Sequence, residues 1–274
     1  MGKLSELKLN KAEGIANFER EFKLNQVGMG GTRANLIRLL KSIDLVGWSS
    51  HEESGRLDRK AFSRFACGST SIFSKRTHVE AESSAVSILV DCSGSMSGSR
   101  MNVTESVTIQ LVKILDKADV SYRVFGFDSP TCGDSKLIST DVDTPSVRIP
   151  VESVRFYPFK QWGESLQRAL PKLGQIHKFA LFENPDYSAV MLSLEDLKTR
   201  PEKRKIMFVL TDSLSVNVAH MSQLDLLADK LGIKLIAIGI ESAEVLDCYK
   251  NSVAVASLAD LGSASFNKLL KELQ

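Results

Sequence analysis

Oxygen-bearing side chains recur at three points of the sequence where an apolar strand would end or a helix begin: Asp91, Ser93 and Ser95; Asn184 and Asp186; Thr211 and Asp212. Carboxylates mixed with hydroxyls are the donors that hard divalent cations select, and magnesium in particular takes a few of them and keeps several waters. The D-x-S-x-S spacing has a mechanical basis. Alternate residues of a tight turn leaving a strand point the same way, so Asp91, Ser93 and Ser95 can converge on one point while Gly94 relaxes the backbone. A Ser/Gly turn that only caps a helix would read much like DCSGSMSGSR. The strand before it, the helix after it and a second carboxylate at another strand end weigh against that simpler reading.

No other constellation competes. Ser93 lacks a G-x-S-x-G setting and a neighbouring histidine, which disfavours a hydrolase nucleophile. His51, His78, His177 and His220 lie in separate segments without ligand spacing, and no general base is paired with the oxygen cluster, so an enzyme acting alone is the least favoured class. Cys67, Cys92, Cys132 and Cys248 are scattered, which suggests reduced thiols rather than a zinc site or a disulfide framework. Cys92, one residue beyond Asp91, should point to the opposite face and pack. Phe125, Phe127 and Trp162 read as core rather than as a ligand platform.

These residues need a rigid frame, and the sequence supplies one. Ser84–Val90 is an apolar run ending in Asp91, Asn102–Lys117 carries a helical stripe, and Ser121–Phe127 is a second strand. Residues 128–150, with Pro130, Gly133, Pro145 and Pro150, form a long excursion suited to an edge hairpin. Helices are expected over Gly163–Lys178 and Tyr187–Thr199, with Pro185 breaking the first and Asp186 able to cap the second. Lys205–Leu210 is a run of the buried parallel kind, followed by a helix at Val218–Leu231, strands at Ile233–Ile240 and Ser252–Val255, and a helix at Ala259–Leu273. The alternation predicts an α/β fold: a doubly wound, mostly parallel six-stranded sheet with helices on both faces, Rossmann-like, over residues 81–274. Residues 1–80 read as an accessory segment, with helices at Gly31–Ile43 and Leu57–Phe65 and polar linker elsewhere.

Composition narrows the setting. With 43% apolar and 25% charged residues the chain is ordinary globular material, and a net charge of +2 gives no global pull toward nucleic acid. The basic residues Arg56, Arg59, Lys60, Arg64, Lys75 and Arg76 read as solvated surface. MGKLSELKLNKAEG has no apolar core of the signal-peptide kind and no run suits a membrane span, so a cytoplasmic protein is expected.

The three loops resemble those of the von Willebrand factor A family, whose metal-ion-dependent adhesion site places D-x-S-x-S on one loop, Thr or Asp on a second and Asp on a third. That resemblance implies a metal site of Asp91, Ser93, Ser95, Asp186 and Asp212 holding Mg2+, or Mn2+ or Ca2+ in its place. Within that family, ILVDCSGSM at 88–96, Gly126-Phe127, Glu183-Asn-Pro-Asp186, Arg200-Pro-Glu-Lys-Arg-Lys-Ile and Leu235-Ile-Ala-Ile-Gly239-Ile are similar to the C-terminal domain of the cobaltochelatase subunit CobT. Gly55-Arg-Leu57-Asp58 resembles the G-x-L-D that leads into it. The resemblance implies a subunit of a cobalamin-biosynthesis type of complex that works beside a ring-forming AAA+ ATPase of the CobS or MoxR kind. It also implies relatives that are short and often phage-encoded. Tyr187 and Ser213 stand where the family has glycine, and residues 128–180 match only loosely. The expected role is therefore a non-catalytic, metal-dependent adaptor that grips a partner's carboxylate, within a ring-shaped complex. The alternative is a free-standing protein-binding module, for example in phage assembly.

Overall fold

The computed structural model describes residues 9–24, 30–40, 47–52, 54–57, 70–77, 83–129, 136–138, 149–151, 154–180, 183–212, 218–257, 259–260, 263 and 267. In chain order its elements are α1 Lys11–Leu24, α2 Gly30–Leu40, β1 Gly47–Glu52, β2 Arg56–Leu57, β3 Phe73–Thr77, β4 Ser84–Asp91, α3 Ser99–Lys117, β5 Ser121–Asp128, β6 Lys136–Ile138, β7 Ile149–Val151 and β8 Arg155–Lys160. There follow α4 Leu166–Leu173, α5 Asp186–Lys198, β9 Arg204–Thr211, α6 Val218–Leu231, β10 Ile233–Ile240, α7 Val245–Cys248 and β11 Ser252–Val255.

The chain divides into two units, one made of residues 1–40 with 83–274 and the other of residues 41–82. In the larger, six strands run in the order β11-β10-β9-β4-β5-β8, all parallel except β8, which pairs antiparallel with β5. The α/β doubly wound sheet expected from the sequence is thus present. Its sixth strand, β8, was not placed from sequence because Pro158 interrupts its pattern, which an edge strand tolerates.

Every residue of β4 is buried because both faces of the sheet are covered. Alternation sends Val86, Ile88 and Val90 into one apolar cluster, with Phe18 of α1, Val107 and Leu111 of α3, and Leu170 of α4. Ala85 and Leu89 join the other, with Val190 and Leu194 of α5, Met221 and Leu224 of α6, and Val245 of α7. The indole of Trp162 packs against two guanidiniums, with Arg123 Cζ 5.4 Å and Arg200 Cζ 4.6 Å from its ring centre.

Three local expectations are revised. The segment before Gly31, read as linker, contains α1, which packs backbone to backbone on the end of α4: a Cβ on Gly174 would lie 2.0 Å from the Gly14 carbonyl oxygen. The helix expected over Gly163–Lys178 runs only from Leu166 to Leu173, with Gly174 at its C-terminal cap, and a single 3-10 turn follows at Ile176–Phe179. Asp186 opens α5 as its first residue rather than capping it; Pro185 occupies the cap position. Within the excursion, β6 and β7 pair antiparallel as a hairpin.

In the smaller unit, β1 and β3 pair antiparallel and β2 adds to the other side of β3. Its polar strands GWSSHE and FSKRT lack a period-2 apolar pattern, which is why they read as linker. The helix expected over residues 57–65 begins on a strand residue, Leu57, and otherwise falls outside the described residues, as does most of the one expected over Ala259–Leu273. Among the described residues no helix is long and apolar enough to cross a membrane.

Candidate metal centre

The strand order places a switch point at β4, where the chain leaves toward β5 on one side and later returns as β9 on the other. Ligand sites of doubly wound sheets lie beyond the carboxyl ends of strands at such a point. β4 ends there with Asp91. The next residue, Cys92, continues the ladder through its N–H to the Phe127 carbonyl at 2.9 Å and packs into the α3 side of the core, as expected. Asp91 thereby stays free to face the loop.

The first loop closes on itself. Asp91 Oδ1 accepts from the Ser93 N–H at 2.8 Å, and the Ser93 and Ser95 hydroxyls lie 3.0 Å apart. One 3-10 turn, Gly94–Met96, holds them in place with the buried Met96 as its anchor, and Gly98 at φ +79° lets the chain swing into α3.

Two other loops converge on the same point. The Ser129 N–H donates to the Glu183 carbonyl at 3.0 Å, pinning the second loop to the end of β5. From it, Asn184 Nδ2 donates to Asp91 Oδ2 at 2.9 Å. Thr211, the last residue of β9, sets its hydroxyl 2.8 Å from Asp91 Oδ2 and 3.1 Å from Asp186 Oδ2. Both carboxylates are fully desolvated. Burial raises Asp91 to about 6, opposed by hydrogen bonds from Ser93 and Thr211 and assisted by the charge of Asp212. Asp186 is pushed well above the usual carboxylate range, first by burial and then by the charge of Asp91.

Asp212, also buried, is engaged by Arg100: Nη1 lies 3.1 Å from Asp212 Oδ2 and donates to the Ser95 carbonyl at 3.1 Å. The structure therefore brings Asp91, Ser93, Ser95 and Asp186 into one hydrogen-bonded cluster, with Asp212 linked to it through Arg100. Among the described residues no group of three or more His, Cys, Asp and Glu side chains is arranged to hold a metal by itself. The candidate donors are instead a mixed oxygen set: carboxylates of Asp91 and Asp186 and hydroxyls of Ser93, Ser95 and Thr211.

That set fits a hard divalent cation on an internal observation. Asp186 Oδ1 and Asn184 Oδ1 are buried acceptors with no hydrogen-bond partner, a cost a cation or its water would relieve. The sequence reading considered Thr211 and Asn184 and passed over them for their carboxylate neighbours; Arg100 it missed. DxSxSMxGxR contains the signal for Arg100, since position 100 falls one residue into the helix that follows the loop. Of the four histidines, His177 is the one whose side chain is described, and it pairs with Glu105, Nδ1 to Oε2 at 2.7 Å, away from this cluster.

Solved structures with a similar course include a von Willebrand factor type A protein from Catenulispora acidiphila, at 18% identity and a TM-score of 0.45 over 70% of this chain and 43% of that one. This chain thus spans under half the length of that relative. Manganese-loaded TRAP protein of Plasmodium vivax matches at 15% identity and a TM-score of 0.46, over 70% of this chain and 73% of that one. Proximal thread matrix protein 1 from the mussel byssus, with a zinc occupied MIDAS motif, matches at 13% identity and a TM-score of 0.46, over 70% and 46%. The family model described as the cobalamin biosynthesis protein CobT VWA domain matches residues 72–273, well over half of the sequence, and the chain belongs to that family.

Proposed function

We propose that the chain is a metal-dependent protein-binding subunit, and that its site is formed by Asp91, Ser93, Ser95 and Asp186, with Asp212 acting through a water. The observation that carries this reading is the pair of fully buried carboxylates, Asp91 and Asp186, that share one hydroxyl while Asp186 Oδ1 has no partner. Two buried negative groups this close raise each other's pKa, and a divalent cation reverses that cost. When bound, Mg2+, or Mn2+ or Ca2+, supplies a Lewis-acidic position open to an external oxygen ligand. The loop residues hold the ligand set in one orientation, and the partner offers a Glu or Asp carboxylate. Affinity then falls as pH drops and the ligand carboxylates protonate.

The partner favoured by membership of the CobT family is an AAA+ ATPase of the CobS or MoxR kind, with this chain as its non-catalytic adaptor in a chelatase-like or remodelling complex. In a pull-down with such an ATPase, EDTA or Asp91→Ala should abolish binding while circular dichroism shows the fold retained. Binding unchanged in EDTA overturns the proposal. Metal binding by the chain without capture of the ATPase assigns it to the free-standing class of binding modules.

A further inference from the structure

Arg100 ties together the ends of three loops. Its Nη1 meets Asp212 Oδ2 after β9 and the Ser95 carbonyl of the first loop, both at 3.1 Å, and its Nε lies 3.9 Å from Glu241 Oε2 after β10. Ser99 Oγ also donates to Glu241 Oε2 at 3.1 Å. Glu241 is held at φ +50°, a backbone region few non-glycine residues adopt, and its N–H donates to the Val255 carbonyl at 2.8 Å. The Arg100 side chain is about a quarter exposed whereas that of Asp212 is wholly buried, so a fixed positive charge reaches in from the surface onto one of the site's own candidate ligands.

The geometry points to Arg100 as an internal competitor of the metal: its guanidinium neutralises Asp212 and must yield that carboxylate, in whole or part, when a divalent cation draws on it. This rests on the metal site proposed above and adds to it a residue that sets cation affinity without being a ligand. A residue with only a structural role would weaken cation binding when removed. A competitor does the opposite, because its loss ends the guanidinium's hold on Asp212 and removes a like charge from beside the cation. Glu241, holding the guanidinium from the other side, gives Arg100 somewhere to go when Asp212 is taken.

The test is Mn2+ titration of the full chain by calorimetry, comparing wild type, Arg100→Gln, Asp212→Asn and the double variant, with circular dichroism to confirm folding. Gln is chosen because it removes the charge while keeping a polar side chain that a helix tolerates. Arg100→Gln should bind Mn2+ more tightly, on the order of tenfold, and the gain should largely vanish in the Asp212→Asn background. Affinity unchanged or weakened in Arg100→Gln overturns the inference. An equal gain in both backgrounds overturns it too, since that would be a general field effect rather than competition for Asp212. Absence of Mn2+ binding in wild type and variants alike removes the metal site itself, and the competitor with it; the two failures are therefore distinguishable.

Discussion

The Thr211 hydroxyl has one proton and two carboxylate neighbours, Asp91 Oδ2 and Asp186 Oδ2. Whichever oxygen receives the proton, the other faces only a lone pair. Removing the hydroxyl strips the one donated proton from the carboxylate that held it, and Thr211→Val, nearly the same shape, should lower stability in chelator by about 1–3 kcal/mol. Chemical denaturation would measure it. Thr211→Ser should recover most of the loss, and equal loss in both variants would mean that packing rather than the hydroxyl matters. At this scale the first loop was legible because the spacing of Asp91, Ser93 and Ser95 is itself the geometry. Thr211 was visible as an oxygen donor at a strand end but not as a partner of Asp91, which only the pairing of β9 with β4 places beside it.

Among elements, α1 shows how a contact can be hidden in a sequence. KAEGIANFEREFKL offers one deeply buried side chain, Phe18, and its closest approach is made by a residue with none. A Cβ at Gly14 would lie 2.2 Å from the Pro171 carbonyl oxygen. Gly14→Ala should therefore separate α1 from α4 despite its better helix propensity, and limited proteolysis should then cut within residues 11–24 faster than in wild type. A second tie holds the same helix. The buried Glu105 accepts from Asn17 Nδ2 of α1 and from the His177 N–H at 2.9 Å, and meets His177 Nδ1 at 2.7 Å. The hydrogen bond to Glu105 raises His177 above its ordinary 6.5, with burial and Lys178 opposing and Glu13 assisting. A raised imidazole stabilises fully below its unfolded value, and the contribution fades as pH rises through the folded one. The melting-temperature gap between wild type and His177→Gln should hence be wider at pH 6 than at pH 9. A gap that does not change with pH would mean that the imidazole contributes only as a neutral group. The strands β4, β9 and β10 were readable because apolar runs bounded by turns leave little choice. β8, β1 and β3 were not: Pro158 interrupts the first, and GWSSHE and FSKRT carry no alternating apolar pattern.

Across the whole molecule, the parallel order and its switch point follow from strands alternating with helices, and the site follows from the switch point. Because the three loops meet only in the folded sheet, a cation bound there binds the native state alone. Magnesium at about a hundred times its dissociation constant should then add about 2.7 kcal/mol to stability, raising the melting temperature by roughly 5–10 °C, and Asp91→Ala should abolish the rise. Identical melting curves with Mg2+ and with EDTA would argue against the site. The placement of the tryptophans makes that experiment easier to resolve. The chain has two tryptophans, Trp48 on β1 of the smaller unit and Trp162 in the larger. Each unit thus carries its own fluorophore, and Trp48→Phe would leave an emission signal that reports on the metal-bearing unit by itself.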